Sequence, residues 1–302
     1  MSQQVQVDVE GRQLKLSNLD KVLYPASGFT KAQVIDYYTR VAPALLPHMA
    51  GRPLTLKRYP DGVESPYFYE KKCPSHRPPW FRTAPVWSGR NREEINYCVV
   101  DDLPSLIWVA NMASLELHIS LARAEDIHQP TMMVFDLDPG PPAAIRECCE
   151  VGLELRQLFA ELKLESFPKT SGSKGLQVYV PLNTRVTYEE TKPFALAVAQ
   201  QMEQKHPDLV LSKMTKELRK GKVFVDWSQN DDHKTTVSVY SLRARERPTV
   251  STPVTWAEVE AHHRGKLNEL AFTSEQLLDR LERDGDLFAP VLKLKQKLPR
   301  LD

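Results

Sequence analysis

The sequence predicts an α+β fold, in which helices pack on one face of a mixed or antiparallel sheet. Two observations lead to this prediction. Residues 131–227 follow the order strand, helix, strand, turn, strand, helix, strand, which is typical of a sheet covered by helices. Within that order, residues 131–137 form an almost continuous apolar run, as expected for a strand at the centre of a sheet. The alternation is too irregular for a barrel of eight strand–helix units.

The first 125 residues are predicted to form an N-terminal α/β lobe. Alternating residues 5–16, interrupted at Gly11, indicate a hairpin. Thr30 is typical of a helix N-cap, and the periodic apolar residues after it predict a helix through Leu46 that Pro47 ends. The other expected elements of this lobe are strands at 54–59 and 115–119, a helix at 102–113, and extended loops over the rest of 53–87.

Residues 126–255 carry the predicted sheet, and residues 256–302 are predicted to form a helical C-terminal segment. Pro139 ends the apolar strand, and residues 143–162 have the spacing of an amphipathic helix. The remaining predicted elements are strands near 165–168, 176–181, 223–227 and 237–241 and a helix at 188–205. Because we find no repeat and no clear interdomain linker, we expect a single domain over residues 1–302.

Composition bounds the class of protein. With 302 residues and 41% apolar side chains, the chain can bury a large core. Its first residues are polar, and it has no apolar run near the roughly 18 residues of a membrane helix, so we expect a soluble cytoplasmic protein. The cysteines are Cys73, Cys98, Cys148 and Cys149. They form no C-x-x-C pair, so we expect no disulfide framework, and the spacing of Cys73 and His76 lacks the second pair that zinc needs.

Charge is distributed unevenly, although the net charge is only +1. Residues 1–90 hold 13 Lys/Arg against 7 Asp/Glu, and residues 213–247 hold 9 against 5. Residues 91–212 hold 10 against 18. Two basic regions on either side of an acidic one could place phosphate-binding surfaces around a carboxylate metal site. Ordinary variation of the surface is the alternative.

A pair of carboxylates ends the central apolar strand. Alternate residues of a strand point to the same face, so Asp136 and Asp138 are predicted to project together. Two adjacent carboxylates repel each other unless a cation lies between them, and hard divalent ions take oxygen ligands. The pattern therefore favours a metal site, although D-x-D also occurs in glycosyltransferases, phosphatases and nucleases. A solvated strand end or a pair of helix caps is the alternative.

Two further motifs fit a phosphoryl-transfer site. Residues 223–226 form a second apolar strand that ends in Asp226, which could supply a third carboxylate. Between the two acidic motifs lies a turn that contains Ser171, Ser173 and Lys174 with two glycines. Exposed backbone N–H groups, hydroxyls and an ammonium suit a triphosphate. The turn lacks Walker A spacing, and a simple Ser/Gly hairpin is the alternative.

The order of these motifs resembles that of the archaeo-eukaryotic primases. The finer similarity is to the polymerase (primase-like) domain of bacterial ATP-dependent ligase D, an end-joining enzyme, and it covers nearly the whole chain. It runs from the segment Leu16–Pro25, through Lys57-Arg58 and Leu117-His118, to the segment Tyr240–Arg245. The resemblance implies a primase-type palm, similar to an RNA-recognition-motif sheet, with flanking helices and the N-terminal lobe packed against it.

The resemblance also implies a role for each matching residue. Asp136, Asp138 and Asp226 would hold two ions, Mn²⁺ or Mg²⁺. The residues that would contact the incoming nucleotide are His118, Ser171, Ser173, Lys174, Arg243 and Arg245. Those that would contact DNA are Lys21, Lys31, Lys57, Arg58, Tyr69 and Arg219, with Lys21 and Lys31 on a 5′-phosphate and Tyr69 stacked on the template. Taken alone, such lysines would face solvent, and His118 and Tyr69 would be packing residues.

The function that the resemblance implies is a DNA-directed nucleotidyltransferase that prefers rNTPs. It would fill gaps and extend ends in bacterial non-homologous end joining, near the nucleoid. Its partners would be 5′-phosphorylated DNA, NTPs or dNTPs, an ATP-dependent ligase domain and a Ku-like end-binding protein. The chain has no Lys-x-Asp-Gly ligase motif, which fits a piece of a larger ligase polypeptide. A catalytically weak end-binding module and a metal-dependent nuclease are the alternatives.

One position departs from the family pattern. Many relatives have histidine where this chain has Gln177. A glutamine side chain forms hydrogen bonds but carries no charge. Gln177 is therefore not predicted to be catalytic.

Overall fold

A computed structural model of the chain describes residues 4–88 and 92–299. The strands in chain order are β1 (Gln4–Val9), β2 (Arg12–Ser17), β3 (Val22–Tyr24), β4 (Phe29–Thr30), β5 (Leu54–Arg58), β6 (Phe68–Glu70), β7 (Thr83–Ser88), β8 (Glu93–Cys98), β9 (Ser114–Ile119), β10 (Ala122–Arg123), β11 (Asp126–Pro130), β12 (Met132–Pro139), β13 (Phe167–Thr170), β14 (Leu176–Pro181), β15 (Val210–Leu211), β16 (Val223–Asp226), β17 (Thr236–Val237), β18 (Leu242–Ala244) and β19 (Pro248–Val250). The helices are α1 (Lys31–Met49), α2 (Leu103–Asn111), α3 (Ile145–Glu161), α4 (Tyr188–Lys205), α5 (Trp256–His263) and α6 (Ser274–Asp284). Short 3₁₀ segments lie at Pro25–Ser27, Lys216–Arg219, Trp227–Gln229 and Ala289–Leu292.

Two compact units interleave along the chain. The first comprises the residues up to Glu125 together with Thr235–Val250 and Phe272–Gly285. The second comprises Asp126–Lys234, Ser251–Ala271 and the residues from Asp286 onward. The single domain expected over residues 1–302, with boundaries at 125 and 255, stays a prediction.

The first unit contains a sheet with the strand order β17-β9-β5-β8-β7, and β6 also pairs with β5. The predicted start of α1 is confirmed, because Thr30 and Gln33 form a reciprocal capping box. The helix continues to Met49, past the end expected at Pro47. Burial of Leu45 and Met49 on the inner face outweighs the local cost of that proline.

Two further expectations for this unit are wrong. The region expected to form loops also contains β6 and β7, and β7 pairs with β8 throughout its length. The strand expected at 237–241 ends after Val237, and Tyr240 has a φ of 65°, which a strand does not accommodate.

The cysteine prediction is also wrong for two of the four residues. Cys73 and Cys98 form a disulfide, with Cα atoms 4.8 Å apart. The backbone brings them together, since Cys73 N–H donates to Asn96 O at 2.7 Å. The Cys73 thiol is therefore not available as a zinc ligand beside His76. Cys148 and Cys149 are buried free thiols.

The second unit is built on a sheet with the strand order β13-β14-β12-β16-β15. Its strand pairs are antiparallel except β15–β16, which is parallel. Helix α3 packs on this sheet, where the rings of Phe135 and Phe159 lie 5.1 Å apart. The predicted α+β class, with a mixed sheet and the apolar strand β12 at its centre, is confirmed.

Among the described residues, no helix has both the length and the hydropathy that crossing a membrane requires.

Candidate active site

Strand β12 divides its side chains between two faces. Phe135 contacts Phe159 of α3, and the Leu137 side chain lies beside Gly152 of the same helix. Because alternate side chains point in opposite directions, Asp136 and Asp138 project from the other face. Asp136 lies directly opposite Asp226 in the pairing of β12 with β16. The structure therefore brings the three predicted metal ligands together at one end of the central strands.

The electrostatics of this cluster are those of crowded carboxylates. Burial, followed by the charges of Asp138 and Asp226, raises the pKa of Asp136 well above its usual value. Asp226 is fixed in orientation, since its carboxylate accepts hydrogen bonds from Ser228 Oγ at 2.6 Å and Gln229 Nε2 at 2.9 Å. A divalent cation would relieve the repulsion, and an all-oxygen donor set suits hard ions such as Mg²⁺ or Mn²⁺. The side chains present thus fit the expected ions.

Arg219 lies beside this cluster. Its guanidinium stacks over Phe224 at 4.0 Å and approaches Asp138 Oδ2 at 3.9 Å. The segment that carries it is held close to the end of β12, because a Cβ on Gly140 would lie 1.9 Å from Arg219 O. Arg219 therefore adds positive charge at the edge of the carboxylate cluster.

A second group of acidic residues lies farther along the chain. Asp231, Asp232 and His233 place potential ligand atoms within 4.8 Å of one another. Asp231 is ion-paired with both Lys192 and His233. The Lys192 ammonium is thus a counter-charge for the Asp231 carboxylate.

The Ser/Gly turn after β13 packs against the central strand. Ser171 Oγ accepts hydrogen bonds from the backbone N–H groups of Ser173 at 3.3 Å and Gly175 at 3.1 Å, so it closes the turn. A Cβ on Gly175 would lie 2.3 Å from Leu137 O, which explains the glycine. A cavity of about 310 Å³ adjoins the turn and is lined by Ser173, Lys174 and the start of α3, among others. Lys174 is exposed there.

The first unit holds a polar cluster around Glu116, which the sequence analysis did not identify. Glu116 Oε2 accepts a hydrogen bond from His118 Nε2 at 2.9 Å. The same carboxylate lies 3.4 Å from Lys57 Nζ and 3.4 Å from Arg243 Nε. The structure thus brings three predicted site residues onto one buried acid. The missed signal is an acid two residues before a histidine on one face of an otherwise apolar strand.

Charge and burial set the protonation of this cluster. Burial alone would raise the pKa of Glu116, but the His118 hydrogen bond and the Arg243 and Lys57 charges hold it well below its usual value. Burial lowers the pKa of His118, so the imidazole is neutral near pH 7 and donates from Nε2. Burial also lowers the pKa of Lys57, and the charges of Arg243 and Arg245 act in the same direction.

Exposed aromatic rings lie beside this cluster. Tyr69 is 57% exposed, and its ring lies 6.0 Å from that of His118. Lys57 Nζ lies 4.3 Å from the Tyr67 ring. Arg58 follows Lys57 in the chain, and its Nη1 pairs with Glu70 at 2.8 Å. An exposed ring beside cations is suited to stacking on a nucleic-acid base.

Lys21 and Lys31 line a cavity in the first unit. It has a volume of about 220 Å³, and Arg58 and Asp61 also line it. Lys21 Nζ pairs with Asp61 at 2.6 Å, whereas Lys31 Nζ donates to Ser17 O at 2.7 Å. Burial, with the charges of Lys21 and Arg58, lowers the pKa of Lys31 to about 8. Three cations around one cavity form a site suited to an anion.

The sequence of the chain matches a known protein family, and that family identifies the class of enzyme. A family model described as the LigD primase-polymerase domain matches residues 30–288. The chain belongs to this LigD primase-polymerase family. A primase-polymerase domain is a nucleotidyltransferase, so the family resemblance and the enzyme class inferred from the sequence are confirmed.

Curated LigD proteins resemble the chain over most of its length. The multifunctional non-homologous end joining protein LigD of Mycolicibacterium smegmatis is 46% identical over 280 residues, which cover 92% of this chain and 36% of that protein. The bifunctional LigD of Bacillus subtilis is 30% identical over 287 residues, which cover 95% of this chain and 45% of that protein. The chain therefore spans less than half the length of these LigD proteins.

A solved LigD structure supports the fold. The polymerase domain of Mycobacterium tuberculosis ligase D, solved in complex with DNA, matches with a TM-score of 0.86 and 42% sequence identity. The match covers 92% of this chain and 98% of that domain. The LigD fold is therefore shared over nearly the whole of the present chain.

Proposed function

We propose that this LigD primase-polymerase domain adds nucleotides to DNA 3′-hydroxyls at breaks and short gaps. The observation that carries the proposal is the convergence of three carboxylates: Asp136 lies opposite Asp226, and Asp138 projects from the same face of β12. Their oxygen donors suit a pair of divalent ions. The names of the relatives, which specify non-homologous end joining, support the same role.

In this proposal the carboxylate cluster organises the reaction. Asp136, Asp138 and Asp226 hold two divalent ions, Mn²⁺ or Mg²⁺. When bound, such ions supply a lower pKa for the attacking 3′-hydroxyl and neutralise charge on the triphosphate and the leaving pyrophosphate. The Ser228 and Gln229 hydrogen bonds keep the Asp226 carboxylate in one orientation.

The nucleotide is held by residues that donate or carry positive charge. The Lys174 ammonium and the Ser173 hydroxyl of the Ser/Gly turn contact the triphosphate. Ser171 acts mainly by shaping that turn, since its oxygen already accepts two backbone hydrogen bonds. His118, Arg243 and Arg245 contact the nucleotide, and the neutral His118 keeps Nδ1 available as an acceptor because Nε2 donates to Glu116.

The DNA is bound through cations and one aromatic ring. The cavity lined by Lys21, Lys31 and Arg58 accepts a 5′-phosphate. Tyr69 stacks on a template base, and Lys57 and Arg219 contact the backbone. A terminal phosphate carries more charge than an internal phosphodiester. The cavity therefore favours gaps that carry a 5′-phosphate.

The cellular setting and the nucleotide preference are proposed from the family resemblance. We infer that the domain works in the bacterial cytoplasm, near the nucleoid, and prefers rNTPs. It acts with an ATP-dependent ligase domain, fused or separate, and with a Ku-like end-binding protein. The length of the curated relatives, more than twice that of this chain, leaves room for a fused ligase domain.

Extension of a gapped DNA tests the proposal. A labelled primer on a gap of one to three nucleotides is incubated with each rNTP or dNTP, with Mg²⁺ and Mn²⁺ in parallel. Templated addition that requires the divalent ion supports the polymerase. DNA binding without addition would identify an end-binding module, and shortening of the primer would identify a nuclease.

A further inference from the structure

Four polar side chains lie side by side across the central sheet of the second unit. The pairing of β13 with β14 places Lys169 opposite Gln177. The pairing of β14 with β12 places Gln177 opposite Asp136, and the next pairing places Asp136 opposite Asp226. Directly opposed residues of antiparallel strands project from the same face. Lys169 and Gln177 therefore continue the row of metal-ligand carboxylates into the sheet.

Lys169 is an unusual member of this row because its side chain is fully buried. Its Nζ donates to Gln177 Oε1 at 2.5 Å and to Ser251 Oγ at 2.6 Å, and it lies 5.4 Å from the Tyr179 ring. Burying an ammonium group is unfavourable unless nearby groups compensate its charge. An apolar residue of similar length would fill the same space without that cost. The position thus retains a charge that packing does not require.

Gln177 connects this charge to the carboxylates. An ammonium group only donates hydrogen bonds, so the amide oxygen of Gln177 must face Lys169. The amide nitrogen then faces the other neighbour, and the Gln177 side chain forms a hydrogen bond with Asp136. The orientation of the amide is fixed at both ends. A continuous chain of contacts consequently runs from Lys169 through Gln177 to Asp136.

We propose that Lys169 and Gln177 are positioning residues that hold the Asp136 carboxylate in its metal-binding orientation and offset the repulsion within the carboxylate cluster. This inference rests on the proposed role of Asp136 as a metal ligand. Groups that orient a ligand from behind typically raise metal affinity. Gln177 carries out this role without titrating, because a neutral amide keeps its donor at every pH.

A metal-binding titration tests the inference without relying on catalysis. Free Mn²⁺ is followed by electron paramagnetic resonance as it is added to the wild-type chain and to the variants Gln177→Met and Lys169→Met. Methionine has a side chain of similar length but cannot form these hydrogen bonds. Each variant therefore interrupts the chain of contacts from Lys169 through Gln177 to Asp136. We expect Mn²⁺ affinity to fall by about 10- to 100-fold in each. In primer extension, the same variants should need more Mn²⁺ for half-maximal rate, while the nucleotide KM at saturating Mn²⁺ changes little.

Matched controls separate positioning from general damage. Gln157→Met and Lys205→Met make the same changes at exposed positions of α3 and α4 and should leave Mn²⁺ affinity unchanged. Gln177→His should restore most of the affinity, because a neutral imidazole can accept from Lys169 and donate to Asp136. Thermal unfolding shows whether each variant is folded. If Lys169→Met does not fold, the comparison of Gln177→Met with Gln177→His decides the matter.

The outcomes distinguish this inference from the proposed function. Asp136→Ala should abolish binding of at least one Mn²⁺. A wild-type chain that binds no Mn²⁺, or an Asp136→Ala variant that binds it normally, overturns the metal site and this inference with it. Loss of binding in Asp136→Ala together with wild-type affinity in Gln177→Met overturns this inference alone.

Discussion

Glu116 and His118 form a partly buried hydrogen bond of 2.9 Å between Oε2 and Nε2, on one face of β9. The same acid lies 3.4 Å from Arg243 Nε. One carboxylate thus sets the tautomer of the imidazole through a hydrogen bond and pairs electrostatically with the guanidinium. We propose that His118 and Arg243 contact the nucleotide. Both are held by Glu116, for which we propose no contact with the nucleotide.

Replacing Glu116 should lower kcat/KM for the incoming nucleotide. In Glu116→Gln the side chain keeps its shape but loses the charge that faces Arg243 and Lys57. A hydrogen bond to a charged group contributes about 1.5–3 kcal/mol, so we expect kcat/KM for the nucleotide to fall by roughly 10- to 100-fold. Steady-state primer extension measures this, with Glu275→Gln on α6 as the exposed control. A Glu116→Gln enzyme with normal kcat/KM would show that the cluster only supports folding.

The lysine cavity should confer a preference for 5′-phosphorylated gaps. We expect wild type to bind a 5′-phosphorylated gap more tightly than a 5′-hydroxyl gap, with an advantage that shrinks as salt rises. Lys21→Ala and Lys31→Ala should erase most of it and leave binding to the 5′-hydroxyl DNA little changed. Binding titrations on both DNAs at two salt concentrations check this. Equal losses on the two DNAs would make the lysines general backbone contacts.

The same preference should depend on pH. The pKa of Lys31 is lowered to about 8, so the ammonium form predominates below that value and is lost above it. The advantage of the 5′-phosphate should therefore decline between pH 7 and pH 9, while the phosphate itself stays fully charged. Lys31→Arg keeps its charge over this range and should retain the advantage. A decline of the same size in Lys31→Arg would assign the pH dependence to another group.

Gly175 should be intolerant of even one methyl group. A Cβ there would lie 2.3 Å from Leu137 O, which belongs to the strand that carries Asp136 and Asp138. Overpacking of this kind typically costs about 1–3 kcal/mol. We expect Gly175→Ala to lower the unfolding temperature and the extension rate together. Gly11→Ala, in the open β1–β2 turn, should leave the rate unchanged; full activity in Gly175→Ala would mean that the turn can move away from β12.

A preference for rNTPs follows from the family proposal. A site that forms a hydrogen bond with the 2′-hydroxyl disfavours dNTPs, because the missing group leaves a polar partner unsatisfied. The ratio of kcat/KM for each rNTP and its dNTP, measured on one gapped DNA, checks this. Equal or better use of dNTPs would contradict it.

Regular patterns made much of the fold predictable. The strand expected at residues 176–181 and the helix expected at residues 188–205 have the bounds of β14 and α4. Local capping chemistry at Thr30 gave the start of α1. Tertiary contacts decided the rest: α1 passes Pro47 because its inner face is buried, and Tyr240 leaves the strand in a left-handed conformation.

Pairings distant in sequence were beyond prediction from local patterns. Cys73 and Cys98 are 25 residues apart and meet only because the backbone segments around them pair. Asp136 and Asp138 could be proposed from their alternation, but the neighbours of Asp136 depend on the register of β12 with β14 and β16. The complete burial of Lys169 could not be predicted either, because a lysine that precedes a polar turn is normally expected to face solvent.

The central claim, that the carboxylates on β12 and β16 hold catalytic ions, is tested most directly by extension of a gapped DNA with Asp136→Ala and Asp138→Ala. DNA affinity is measured in parallel with a fluorescent gap substrate. Because removal of one ligand from a shared metal site disables the whole site, we expect nucleotide addition to be abolished in both variants with DNA binding largely intact. Near-normal addition by either variant would contradict the two-metal account.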